Sequence, residues 1–268
     1  MLLRSLLGKR DLLIPFFNFD KVELGNVSSE LLPDIYRLRY EVYCRECNFI
    51  DGQNFKNELE VDEYDDCSMH IGAYNLGNEI IGTVRLVQPK PDQPYPFETH
   101  CKVFDEFDYP ERSEAAEISR LVVRRSYRRR RGDSMEGVSK DFVEKGEAAS
   151  IKPVVDPHHR SSSSPLLLLG MYRELYRYSK QNDIRFWYAA MERSLAKSLE
   201  KMGFKFIPIG PETDYYGKVM PFIVDLQELN FRLKDENKFL AAWFNDEPIP
   251  LWIMFKTVLG CRMGLRHR

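Results

Sequence analysis

At 268 residues, with 43% hydrophobic content, the chain can form one large domain or two small ones around a sizeable core. A formal net charge of -2, from 39 basic and 41 acidic residues, excludes a general nucleic-acid binder and leaves any electrostatic partner to local patches. Five scattered cysteines (Cys44, Cys47, Cys67, Cys101 and Cys261) make no disulfide framework and read as free thiols of a reducing compartment.

In chain order, Met1 to Arg10 is short and basic without the continuous apolar stretch of a signal peptide. Ile35, Leu38, Val42 and Tyr43 recur at helical spacing, predicting a helix from about Ser29 to Cys47. Cys44 and Cys47 fall on it, and no second pair follows at the spacing a zinc site needs. A polar loop spans Asp51 to Asp66. Met69–Asn75 and Glu79–Gln88 read as strands joined by the turn signal Asn75-Leu76-Gly77-Asn78. Four prolines make Pro89–Pro96 a loop, and Phe97–Phe107 is ambiguous, with a short helix one reading. Ala115–Val123 is a strand rich in branched apolar residues.

Arg124–Arg131 then holds six arginines in eight positions, and residues 132–164 form a polar insertion. Ser164-Pro165 is a helix start, with the helix running to about Asn182. A strand at Ile184–Met191 and a short helix at Arg193–Met202, stopped by Gly203, come next. Strands at Phe204–Ile209 and Lys218–Leu226 and a helix over 227–245 complete the pattern. Ile249–Leu259 is mostly apolar and is followed by Arg262, Arg266 and Arg268; it either docks on the protein's own core or rests on a membrane surface. No apolar run approaches the roughly 20 residues that span a bilayer. An antiparallel hairpin combined with a strand–helix–strand crossover gives an α+β, or mixed α/β, class.

One series of residues carries chemistry. Arg39, Tyr43 and Phe49 stand on and after the first helix, Asp62 and Asp65 in the next loop, Gly82 and Arg85-Leu86 on a strand, and Glu117, Ser119 and Arg120 on another. In order and approximate spacing this resembles the acyl-homoserine lactone synthases and the related long-chain N-acyl amino acid synthases. Those are N-acyltransferases of the GNAT fold. Phe49 stands where those proteins carry Trp. With its polar insertion the chain looks most similar to the acyltransferases associated with bacterial exosortase and PEP-CTERM systems. Ala196-x2-Leu199-Glu200-x-Met202-Gly203-Phe204 is similar to the helix–strand joint after the fifth strand of that fold.

The resemblance implies a central mixed sheet with a splayed fourth strand, flanked by helices, within a domain at 1–226; residues 227–268 would be a helical extension. It implies transfer of a fatty acyl group from an acyl carrier protein or coenzyme A thioester, as co-substrate and with no tightly bound cofactor, to a small amine acceptor. The protein would be cytoplasmic, with its C-terminal segment a candidate contact to the inner membrane.

An amide-forming site needs an uncharged amine, an oriented thioester and donors for the oxyanion. Leu121, Val122 and Val123 would offer backbone to the donor's arm. Glu117 is either the general base or one member of an ion-pair lattice with Arg39, Arg85, Arg120, Asp62 and Asp65. Three readings stand for the arginine run: Arg128, Arg129 and Arg131 cradle a donor phosphate as in Arg-x2-Gly loops, dock an acidic acyl carrier protein, or are merely solvated. His70 and His100 are isolated and His158-His159 lies in the insertion, so all read as structural or solvated. A lactone synthase using S-adenosylmethionine and a catalytically silent carrier-binding module are the alternatives.

Overall fold

A computed structural model describes residues 14–128 and 164–248. The first strand, β1 (Phe17–Val22), has no counterpart in the sequence reading. Helix α1 (Leu32–Tyr40) starts on Pro33 with Asp34 in its first turn, where a fixed φ and a negative charge both suit a helix N-terminus. It widens into a π-helical turn at Glu41–Glu46, in which the Cys47 N–H donates to the Val42 carbonyl.

Strands β2 (Ser68–Asn75), β3 (Ile80–Val87) and β4 (Ala115–Val123) follow. Then come α2 (Ser164–Gln181), β5 (Phe186–Met191), α3 (Arg193–Lys201), the two-residue strands β6 (Ile207–Pro208) and β7 (Thr213–Asp214), and β8 (Lys218–Asp225). The predicted strand at 204–209 contracts to β6 because Phe204 and Phe206 are used as core rather than as ladder. The predicted terminal helix is two, α4 (Leu226–Glu236) and α5 (Lys238–Phe244), broken at Asn237, whose side chain caps the second by accepting from the Leu240 N–H at 3.0 Å.

The sheet order is β1-β2-β3-β4-β5-β8-β6, with β7 paired to β8. Every pairing is antiparallel except β4–β5. The α2 stripe of Leu167, Leu168, Met171, Tyr172 and Leu175 joins the larger core, while Ile35, Leu38 and Val42 of α1 join a second cluster with Val22, Tyr74, Ile80 and Val122. Leu226, Leu229, Leu233, Trp243 and Phe244 bring α4 and α5 onto the larger core. This is the expected α+β class, with a central mixed sheet between helices. Among the described residues, no helix is long and apolar enough to cross a membrane. The insertion, the His158-His159 pair, Cys261 and the apolar segment at 249–259 lie outside the described residues.

Strand β4 is irregular in a way that matters. Against β3, Ser119 pairs with Arg85 and Val122 with Thr83, so β4 carries one residue more than its partner. Arg120 sits in the bulge with φ +50°, a left-handed backbone that non-glycine residues rarely hold. The extra residue turns the strand over: Ile118 packs in the α2 core, whereas Val122, four residues on, packs in the α1 cluster.

A second constraint fixes the segment after β3. The Phe104 N–H donates to the Ile209 carbonyl at 2.8 Å, and Gly210 packs so closely that an added Cβ would meet the Lys102 carbonyl oxygen at 2.0 Å. Gly210→Ala should therefore lower the urea midpoint, costing about 1–3 kcal/mol by overpacking. An unchanged midpoint would show that this strap gives way without cost.

Candidate active site

The site lies where β4 leaves β5. Their parallel pairing covers only Ala115–Glu117 against Phe186–Tyr188. Among the described residues, no strand lies beside the β5-facing edge of β4 beyond Glu117. Because the Arg124 N–H donates to Ile81 on β3, the preceding Val123 backbone faces the open side. Leu121 and Val123 are partly buried against the larger core. The sheet thus parts at Glu117, leaving the rest of β4 unpaired on that side among the described residues.

Six charged side chains interlock beside this opening. Arg39 holds Glu60 through its Nε and Asp65 through two contacts of 2.6 and 3.2 Å. Arg85 holds Asp65 at 2.7 Å and Asp62 at 3.0 Å, and its Nε donates to the Ser119 hydroxyl at 3.0 Å. Arg120 closes the ring on Glu60 at 2.9 Å and Asp62 at 2.8 Å. Ser119 and Arg120 are consecutive yet both face this lattice, which a regular strand forbids and the bulge permits.

Three guanidinium groups balance three carboxylates. Burial pushes Glu60, Asp62 and Asp65 up, but the arginines outweigh it and hold all three below the ordinary carboxylate range. His70 lies behind the lattice with its Nε2 3.4 Å from the Asp65 carbonyl; burial pushes its pKa down to about 4, so it is neutral there.

In front of the lattice is a cleft of about 220 Å³. Glu60, Asp62 and Arg120 form its floor, Phe55, Tyr215 and Tyr216 its aromatic wall, and Pro96, Thr99 and His100 its rim. Arg39, Asp65 and Arg85 stand behind the floor at 0%, 2% and 1% side-chain exposure, so they shape the cleft without lining it. Tyr43 lies under the Arg120 guanidinium, 5.4 Å from ring centre to charge, and Phe49 leans between Tyr43 and Tyr216.

Glu117 stands apart from the lattice. Among the described residues it forms no ion pair; its carboxyl oxygen Oε2 accepts from the Phe97 N–H at 2.9 Å, under the turn Pro96–Thr99. It is 3% exposed and does not line the cleft. Burial pushes its pKa up to about 8, against an ordinary 4.5. Between those two values the unfolded chain has released a proton that the folded chain keeps, so stability falls as pH rises through the window and levels off above it. Glu117→Gln removes that slope: the variant's melting temperature should gain on the wild type steadily from about pH 5 to pH 8. Parallel curves would mean Glu117 is ionised in the fold.

The remaining predicted residues go elsewhere. Arg128 is buried, its guanidinium on the Glu46 carboxylate at 2.7 Å and on the Val123 carbonyl. Arg124 is drawn to Glu79 and Glu41 at 3.2 and 3.5 Å. Arg129 and Arg131 lie outside the described residues. Cys44 and Cys47 are buried, and burial raises the Cys44 thiol to about 11, the opposite of a reactive thiolate.

Three contributors escaped the sequence reading. Glu60 is one acid among several in a polar loop, and the motif order drew attention to Asp62 and Asp65 instead. His100 and Tyr215 meet across 115 positions, beyond any local pattern.

Residues 38–137 match the family described as Acetyltransferase (GNAT) domain. No curated protein matches the chain in sequence. Among solved structures the chain is similar to BjaI, a CoA-dependent acyl-homoserine lactone synthase with MTA, at 19% identity and TM-score 0.56, covering 82% of this chain and 89% of that one. It is also similar to TofI in a ternary complex with an inhibitor and MTA, at 13% identity and TM-score 0.53, covering 78% and 91%. MesI, another CoA-dependent acyl-homoserine lactone synthase, gives 16% identity and TM-score 0.52 over 81% and 94%. At these identities the likeness establishes a GNAT-like fold.

Proposed function

We propose that this chain is an N-acyltransferase that moves a fatty acyl group from a carrier thioester to the amine of a small acceptor, an amino acid or a derivative of one. The observation that carries the reading is the parting of β4 from β5 at Glu117, directly beside a cleft floored by charged side chains. An exposed strand edge can take an extended thioester arm as an added strand and offer N–H groups to the carbonyl oxygen as it gains charge. The adjoining cleft has the size and the polar floor for a small acceptor. A silent binding module has no need of a sheet opened next to such a cleft.

The donor is the co-substrate, and no tightly bound cofactor is invoked. An acidic acyl carrier protein is our proposed donor partner, on the strength of the Arg124–Arg131 composition, with acyl-coenzyme A the other source of the same thioester. Placement among the acyltransferases associated with bacterial exosortase and PEP-CTERM systems, and a cytoplasmic site of action next to the inner membrane, are proposals from the motif resemblance.

The test is mass spectrometry of lipid extracts from cells expressing the wild type or a Glu117→Gln/Arg120→Ala double variant. New N-acylated amines in the wild-type culture alone support the reading. Extracts indistinguishable from empty vector in both cultures overturn it. Acyl-homoserine lactone together with methylthioadenosine would assign the lactone synthase reaction instead.

A further inference from the structure

We infer that His100 is the group in the cleft that takes the proton from the acceptor's ammonium and so makes it nucleophilic. This rests on the acyltransferase reading and changes where its base is sought. His100 ends the turn Pro96–Thr99, whose preceding residues are pinned from below by Glu117 through the Phe97 N–H. Its ring lies flat on Tyr215, with centroids 3.8 Å apart and planes 14° apart. Tyr215 lines the cleft with Arg120 and is held by its N–H to the Gly217 carbonyl at 2.8 Å. A stacked imidazole keeps both ring nitrogens free for partners in its own plane. Among the described residues, neither nitrogen has a hydrogen-bond partner, and the ring lines the cleft. Glu117, by contrast, is sealed off and holds its proton up to about pH 8.

The charged and titratable groups facing His100 come from three elements: Arg120 on β4, Glu63 in the loop before β2, and Tyr215 ahead of β8. Partial burial and the Arg120 charge lower the imidazole's pKa, while Glu63 opposes them; the net direction is down. The ring is therefore neutral and able to accept at neutral pH. In the step, one N–H proton of the ammonium moves to the imidazole. The freed lone pair forms the C–N bond at the thioester carbon and the C–S bond breaks. The second proton leaving nitrogen goes to the departing thiolate. The imidazolium, disfavoured beside Arg120, returns its proton to solvent.

The purified full chain is assayed for amide formation from fatty acyl-coenzyme A and acyl-carrier-protein thioesters with a mixture of amino acids. His100→Ala should reduce kcat/KM about 10²–10⁴-fold at neutral pH. The deficit should shrink near pH 9, where the free amine is abundant, and added imidazole should restore part of the rate. His100→Phe keeps the stack and the melting temperature but should stay slow, which separates the proton's route from the packing. A His100→Ala variant within about twofold of wild type across the pH range, or a loss equal at every pH without rescue, overturns the assignment and leaves the acyltransferase reading standing. Absence of any amide from the wild type removes both.

Discussion

Arg39→Met is expected to cost the fold about 3–5 kcal/mol, because it strands buried carboxylates rather than removing a contact. Arg39 has no exposed surface and is shared between Glu60 and Asp65. Without it Arg120 is the guanidinium left on Glu60 and Arg85 the one left on Asp65, so three largely buried acids face two guanidinium groups. A methionine fills much of the space but neutralises nothing. Urea unfolding should show a lowered midpoint with an unchanged slope, and Glu60→Gln added to Arg39→Met should recover part of the loss. A cost below about 1 kcal/mol would mean the carboxylates find water or protons easily, and the lattice would be an ordinary surface network.

The second large effect concerns Arg120, where charge and backbone can be separated. Arg120→Gly removes the guanidinium but suits a φ of +50°, whereas Arg120→Ala removes it and keeps the left-handed strain. Within strands glycine is normally the worse residue, by roughly 0.5–1 kcal/mol. Here the order should reverse, with the glycine variant the more stable in denaturant. Both should lose acyl transfer by about 10²-fold or more in kcat/KM, since the balanced lattice becomes net negative and the cleft floor loses its guanidinium. An alanine variant as stable as the glycine variant would show that the bulge relaxes once its ion pairs are gone.

Much of this site could be read from residue order alone. Arg39, Asp62, Asp65, Arg85, Ser119 and Arg120 do converge, because a lattice of opposite charges needs fixed partners and so leaves a fixed pattern. The helix and strand periods likewise announced α1, β2–β5, α2 and α3. What stayed hidden depends on distance or on backbone irregularity. Phe17–Val22 alternates poorly and carries Asn18, Asp20 and Lys21, since it is an edge strand with one face in water. The widening of α1 after Tyr40 has no proline or glycine to mark it. Arg120 gives no hint of a positive φ, because the bulge that sets it exists only in the pairing of β4 with β3. Arg128 looked like part of an open basic run, and Glu46, remote in sequence, draws it inward.

The lone parallel seam between β4 and β5 also bears on how the chain is put together. It joins an arm of β1–β4, contiguous from residue 17 to 123, to an arm of β5–β8 from 186 to 225, through three paired positions. Each arm closes mostly on sequence neighbours, which keeps loop-closure entropy small and assembly fast within it. Helix α2, at the head of the second arm, lays its apolar stripe across β1, β2 and β3 of the first and adds a second fastening. The molecule is therefore built as two modules with a clasp. The described residues of the two arms carry complementary apolar faces, and fragments bearing them should reassemble the opened sheet.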